Sequence, residues 1–219
     1  MLRLDHLVVA ARDLESGSRW LEQQLGVSLA PGGQHLAMGT HNRLLRLGEQ
    51  LYLELIAIDP TLPAPSRPRW FGLDGASMRQ RLAEGPQLIH WVAASEDIQT
   101  DAARAGFSAS EILSMSRGDF RWRITVPADG QLPGGGLQPT LIQWDVPFHP
   151  AQRLPESGCR LMKLEAFTPH APQIAQANTA LGLGATIDLQ APSPGSAAEW
   201  VAYLETPCGL VEIAGRLDV

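Results

Sequence analysis

The chain is poor in several features, and each shortage closes off a class of function. Its 219 residues include two cysteines, Cys159 and Cys208, without CxxC spacing, so both are read as reduced structural thiols rather than a disulfide or redox pair. Lysine and arginine number 17 against 23 acidic residues, a formal charge of −6 with no basic stripe, which argues against nucleic acid and anionic membrane as partners. No apolar run approaches a membrane span, and no charged segment followed by an apolar core and cleavage site opens the chain, so a cytoplasmic location is expected. A Gly-rich phosphate loop, a serine elbow and a nucleophilic cysteine arrangement are also missing, which disfavours nucleotide chemistry and covalent catalysis. What remains is 44% hydrophobic, enough for a good core, and points to a small-molecule partner.

What is present is a pattern used twice. His6 lies in the apolar run Leu4-Asp5-His6-Leu7-Val8-Val9-Ala10 and His90 in Leu88-Ile89-His90-Trp91-Val92-Ala93. A polar residue inside a later apolar run follows each at similar spacing, Glu54 at an offset of 48 and Gln143 at 53. Duplication that brings two imidazoles and two side-chain oxygens together can build a metal or small-ligand site. Glu54, flanked by Leu53 and Leu55, needs a cation, a cluster of donors or a proton if it is buried there.

Apolar periodicity and turn residues predict a strand over 3–10, then a helix opened by Asp13 with Leu14, Trp20, Leu21 and Leu25 on one face and Gly26 as its stop. Strands over 35–40, 43–47 and 51–58 follow, then a Pro-rich loop over 59–68 and a helical patch over 76–83. The order returns with a strand over 87–93, a helix from Ser95 to Ala105, and strands over 109–115, 120–126 and 140–146. A flexible Gly-rich insertion spans 129–139. A fainter third copy has a strand over 159–167, a helix over 172–181 and strands over 186–189, 199–205 and 210–214. It puts Lys163 at the histidine position and Glu212 at the Glu54 position, read as a salt bridge in place of a ligand pair. The expected fold class is therefore α+β with repeated β-α-β-β-β modules. Module one is 1–58, a linker covers 59–86, module two is 87–146, the pair forms a unit over 1–150, and a third similar module spans 159–215.

With that order in place, the chain resembles the vicinal oxygen chelate superfamily, and within it the glyoxalase-like domain group. The likeness rests on Leu4-Asp5-His6-Leu7-Val8-Val9, Gly39-Thr40-His41-Asn42-Arg43-Leu44-Leu45, Tyr52-Leu53-Glu54-Leu55-Ile56-Ala57 and Leu141-Ile142-Gln143-Trp144-Asp145. It implies two modules paired into a cup-shaped mixed sheet whose first and last strands place side chains on a divalent metal. Carried onto this sequence, the ligands are His6, Glu54, His90 and Gln143, and the metal is Zn, Fe or Mn. Gln143 departs from the pattern, since metal-dependent members commonly have a glutamate there and an amide oxygen is a weaker ligand.

Around that floor, Asn42, Arg43, Arg121, Arg123 and Trp144 are candidate substrate-binding residues, because an arginine in a cleft binds carboxylate or phosphate bidentately. His35, His41 and His149 are read as loop residues at the surface, and His149 as a possible closure of the rim. Trp70, Phe71, Trp91, Trp144 and Phe148 are read as an apolar wall or as plain core. The resemblance implies a metal-assisted enzyme, a lyase, isomerase or dioxygenase acting on a small oxygenated organic molecule, with Glu54 holding the metal or shuttling a proton. The alternative is a metal-free binding or sequestering protein of the same fold. Because two modules complete one cup, the third has an uncovered sheet. A homodimer burying Val201, Leu204 or Val211 is expected, or else packing on the back of the first two.

Overall fold

In the computed structural model, which describes residues 1–217, the order strand, helix, three strands occurs three times. The first set is β1 (Arg3–Ala10), α1 (Leu14–Leu25), β2 (Ala30–His35), β3 (Thr40–Gly48) and β4 (Leu51–Ile58). After a connection carrying α2 (Ala76–Glu84) come β5 (Gln87–Ala94), α3 (Ile98–Arg104), β6 (Ile112–Arg117), β7 (Phe120–Thr125) and β8 (Thr140–Trp144). The third set is β9 (Arg160–Phe167), α4 (Ala171–Ala180), β10 (Asp188–Gln190), β11 (Glu199–Thr206) and β12 (Gly209–Arg216). No helix among the described residues is long and apolar enough to cross a membrane.

The capping chemistry acts as its residues dictate. The Asp13 side chain accepts from the Ser16 N–H at the start of α1, and Gly26 ends it in the left-handed region at φ 69°, its N–H returning to the Glu22 carbonyl. The expected strand over 35–40 lies five residues earlier, at Ala30–His35. β2 is an edge strand, so Pro31 sacrifices no ladder hydrogen bond, and glycine is required at Gly32 because a Cβ there would collide with Asn42 Oδ1.

The first eight strands form one mixed sheet that curls into a cup, in the order β2-β3-β4-β1-β5-β8-β7-β6. In each half the first strand runs parallel to the last, β1 beside β4 and β5 beside β8, and antiparallel pairing of β1 with β5 joins the halves. Alternation along the strands then sorts side chains between two faces. Leu7, Val9, Leu53, Leu55, Trp91 and Ala93 pack outward with Leu21 and Leu25 of α1 and Ile98 and Ala102 of α3. Val8, Ala10, Ile56, Val92, Trp122, Ile124 and Ile142 line the concave side. There they meet Trp70, Phe71, Leu73, Met78 and Leu82, so the 59–86 connection plugs the cup. Phe71 has a left-handed backbone (φ 58°), and the stacked rings of Trp70 and Phe71, 5.2 Å apart, both enter the core.

The third set keeps the element order but not the strand order. Its sheet runs β10-β9-β11-β12, with β9 beside β11 rather than beside the last strand. Lys163 and Glu212 are both register partners of Tyr203 on opposite sides of β11, so a whole strand separates them and they do not form the expected salt bridge. Lys163 instead pairs with Glu165 at 2.7 Å and lies over the Tyr203 ring. The apolar face of this sheet is covered within the chain. Trp200, Leu204 and Ile213 join the same core as Leu7, Leu88 and Trp91, and Trp200 Nε1 donates to the Leu88 carbonyl at 3.0 Å. Gly215 makes the approach possible, since a Cβ there would strike the Leu88 carbonyl oxygen. Leu204 is buried by these contacts and Val211 packs at the edge, so this face of the sheet is filled intramolecularly, whereas Val201 belongs to the opposite face of β11.

Candidate functional site

At the mouth of the cup, beside the plug, five residues of the first half gather: His6 from β1, His35 from the end of β2, Asn42 from β3, and Tyr52 and Glu54 from β4. With Trp70, Phe71, Arg117, Trp122 and Trp144 they enclose a cleft with about 30 Å³ of free space. A register irregularity between Leu4 and His6 shapes its floor. Plain alternation puts Leu4 and His6 on one face. The bulge instead turns Leu4 to the helix side and leaves adjacent Asp5 and His6 in contact, as bulges commonly do near sites.

Asp5 is fully buried and receives His6 Nδ1 at 2.6 Å, Trp144 Nε1 at 2.9 Å and His149 Nε2 at 3.0 Å. Burial by itself raises a carboxyl pKa, but hydrogen bonds from His149 and His6 and their charges outweigh it and hold Asp5 well below the usual carboxylate range. An ionised Asp5 has no proton to give, so His6 Nδ1 carries the hydrogen and, in the neutral ring, Nε2 keeps its lone pair. That nitrogen stands 3.7 Å from Glu54 Oε2, beyond hydrogen-bond reach. Tyr52 stacks on the His6 ring at 4.5 Å and fixes its plane. Burial, with Asp5 and Glu54 nearby, pushes the Tyr52 hydroxyl well above its ordinary range, so it stays protonated.

Glu54 is positioned by Asn42, whose Nδ2 donates to Oε1 at 2.5 Å. Asn42 Oδ1 accepts from the Gly33 N–H and from Arg117 Nη1, both at 2.9 Å. Arg117 Nη1 also lies 3.1 Å from His35 Nε2, whose lone pair accepts it, so the His35 proton sits on Nδ1 facing Thr40 Oγ1 at 3.0 Å. Burial first, then the Arg117 charge, hold His35 down to about 3, and it stays neutral.

The expected quartet His6, Glu54, His90 and Gln143 is only half assembled here. His6 and Glu54 face each other. His90 is fully buried, with Nδ1 against the Gly136 carbonyl at 3.1 Å and Nε2 accepting from the Thr140 N–H at 3.1 Å. Phe71, which lines the cleft, packs against it at 5.4 Å. Burial holds His90 down to about 3. Gln143 points to the helix side, where its Oε1 accepts from the Ile98 N–H at the start of α3 at 2.9 Å. With both His90 nitrogens and the Gln143 oxygen committed to backbone groups, these residues do not fit a shared divalent ion. Among the described residues no three His, Cys, Asp or Glu are grouped to hold one.

Of the other candidates, Asn42 and Trp144 line the cleft and Arg43, Arg121 and Arg123 do not. Arg43 borders an outer hollow with Arg12 and Asp13. Arg123 pairs with Asp145 at 2.8 Å, and Arg121 donates to the carbonyls of Gly118 and Phe120. The inward residue of that alternating strand is Trp122, as pleating requires. His35 and His149, read as surface residues, are buried at 7% and 5% exposure and belong to the site. Asp5 and Arg117 escape the sequence reading altogether. The signal for Asp5 is a carboxylate beside a histidine inside an apolar run; Arg117, at a strand end in a polar hairpin, carries none.

The model of the family described as "glyoxalase-like domain" matches residues 4–182. No curated protein matches the chain. Among solved structures, a hypothetical protein from Staphylococcus aureus is 14% identical with a TM-score of 0.57, over 99% of this chain and 86% of that one, a likeness of fold. A variant of Streptomyces coelicolor methylmalonyl-CoA epimerase bound to 2-nitronate-propionyl-CoA is 19% identical (TM-score 0.41) over 68% of this chain and 98% of its own. A mutant of 4-hydroxymandelate synthase from Streptomyces coelicolor is 15% identical (TM-score 0.46) over 97% of this chain and 62% of its own.

Proposed function

The chain belongs to the glyoxalase-like domain family, and we propose that it is an enzyme of isomerase or lyase type that moves a proton on a small oxygenated organic molecule. The reading rests on one observation: a buried Asp5 fixes His6 by its Nδ1, leaving Nε2 without a hydrogen-bond partner and 3.7 Å from Glu54 across a small cleft. A C–H beside a carbonyl loses its proton to His6 Nε2, and the electron pair moves into the carbonyl oxygen as an enolate. Asp5 on one side and Glu54, held by Asn42 and 3.7 Å from Nε2, on the other stabilise the imidazolium that forms. Collapse of the enolate takes a proton back and regenerates His6. Zn²⁺, Fe²⁺ or Mn²⁺ enters no step of this scheme.

The test is deuterium uptake from D₂O into small carbonyl compounds, followed by proton NMR with chelator-treated wild type and a Glu54→Gln variant. Exchange that survives chelation and falls in the variant supports the reading. Exchange that vanishes on chelation and returns with one of the three metals overturns it. Ligand binding without exchange favours the sequestering protein, for which the supporting observation is Gln143, an amide turned away from the cleft.

A further inference from the structure

Two residues with polar groups that line the cleft, Arg117 and Trp70, have no role in the proton transfer just described. Arg117 is half-buried and makes no ion pair among the described residues. Its Nη1 is spent on two neutral acceptors, His35 Nε2 and Asn42 Oδ1, which fix the guanidinium plane. Glu54, the carboxylate of the same cleft, is bound by Asn42 instead. Trp70 is 4% exposed, and its indole nitrogen is buried without a hydrogen-bond partner. A buried donor left unpaired costs free energy that a bound acceptor returns.

Arg117 borders a second space as well. On its far side a hollow of about 310 Å³ opens among Gly32, Gly33, Asp119, Phe120 and Arg153. Arg153 is already used there, lying 3.6 Å over the Phe148 ring and 3.4 Å from Asp119. Arg117 therefore stands between hollow and cleft as a cation with no anion of its own.

We propose that the substrate is a small carboxylic acid whose carboxylate is held by the Arg117 guanidinium and accepts the Trp70 indole N–H. The proposal builds on the proton-transfer reading and names its substrate class. A planar guanidinium clamped through one nitrogen offers its remaining edge to the two oxygens of a carboxylate, a geometry lysine does not reproduce. The carboxylate pins one end of the molecule at Arg117, and the C–H to be exchanged faces His6 Nε2. The narrowness of the cleft restricts the substrate to a small acid.

The probes are pyruvate, lactate and 2-oxobutyrate against their primary amides, with affinity read by calorimetry or ligand-observed NMR. The acids bind in the millimolar range or tighter, and the amides about tenfold more weakly or worse. Arg117→Met lowers acid affinity by about tenfold to a hundredfold, and Trp70→Phe by about fivefold. Arg117→Lys, which keeps the charge and loses the fork, falls between wild type and Arg117→Met and serves where the methionine variant does not fold. Amides binding as tightly as acids, wild-type affinity in both Arg117 variants, or no acid binding at tens of millimolar overturns the proposal. Arg117-dependent binding of acids without any C–H exchange sinks the proton-transfer reading and leaves the carboxylate site standing. Exchange on neutral carbonyl compounds, indifferent to Arg117, does the reverse.

Discussion

The two halves of the eight-stranded cup share an element order and a strand order, and each places a histidine on its first strand, yet they use it differently. In the first half, Asp5 takes one nitrogen of His6 and the other faces a cleft. In the second, Gly136 and Thr140 take both nitrogens of His90, and Phe71 of the plug covers the ring. The last strands diverge in the same way, with Glu54 turned to the cleft and Gln143 turned outward to cap α3. An imidazole becomes chemically available only when the fold leaves one nitrogen uncommitted, and that occurs here in one half alone. The unpaired cation of the site comes from the other half, from Arg117 at the end of β6, which reaches back to His35 and Asn42.

The comparison can be broken most sharply at Asp5. Asp5→Asn removes the ionised acceptor that holds His6 Nδ1–H, and turnover falls by about a hundredfold to ten-thousandfold while substrate affinity changes little. Steady-state kinetics on folded variant check this, and an equal loss in KM alone would make Asp5 a binding rather than a positioning residue.

A smaller effect is expected at His90. Its ring stays neutral in the folded protein down to about pH 3, whereas the ordinary histidine value is 6.5. The unfolded chain therefore takes up the proton first, so stability present above about 6.5 is lost as pH falls from there towards about 3. His90→Gln lowers stability at neutral pH by about 1–3 kcal/mol through its lost partners and flattens the pH dependence in that window. Urea unfolding across the window reads both, and an unchanged slope would refute the assignment. The smallest effect belongs to Gln143. Gln143→Leu costs about 1 kcal/mol as a lost helix cap, and Gln143→Glu leaves both stability and affinity for Zn²⁺, Fe²⁺ or Mn²⁺ near wild type. A marked gain in metal affinity in the glutamate variant would restore Gln143 to a shared site with His6.

Much of this fold is legible in the sequence because its signals are local. Asp13 and Gly26 bracket α1, a continuous apolar run marks β4, and period-two alternation marks β7. Three passes of strand, helix and three strands follow from those signals. β2 is misplaced because Pro31, Gly32 and Gly33 read as a turn and are tolerated only on an edge strand. The Lys163–Glu212 pairing fails because element order does not determine strand order. Patterning and the family resemblance point to His6, Glu54, Asn42 and Trp144, which the fold brings to one cleft. Asp5 is lost to a bulge that alternation cannot foresee, and His35, His149 and Arg117 reach the site through tertiary contacts without a periodic signature. His90 and Gln143 carry the right residue types at the right offsets, but their committed hydrogen bonds belong to a backbone arrangement that spacing does not encode.

The most direct test compares His6→Gln and His90→Gln in one assay, solvent deuterium uptake by a substrate at neutral pH, with unfolding curves confirming that both variants are folded. The account predicts that His6→Gln loses about a thousandfold in exchange rate, while His90→Gln keeps its rate within a few-fold and loses stability. Comparable losses of exchange in both variants would contradict it and return the chemistry to a site shared between the two halves of the cup.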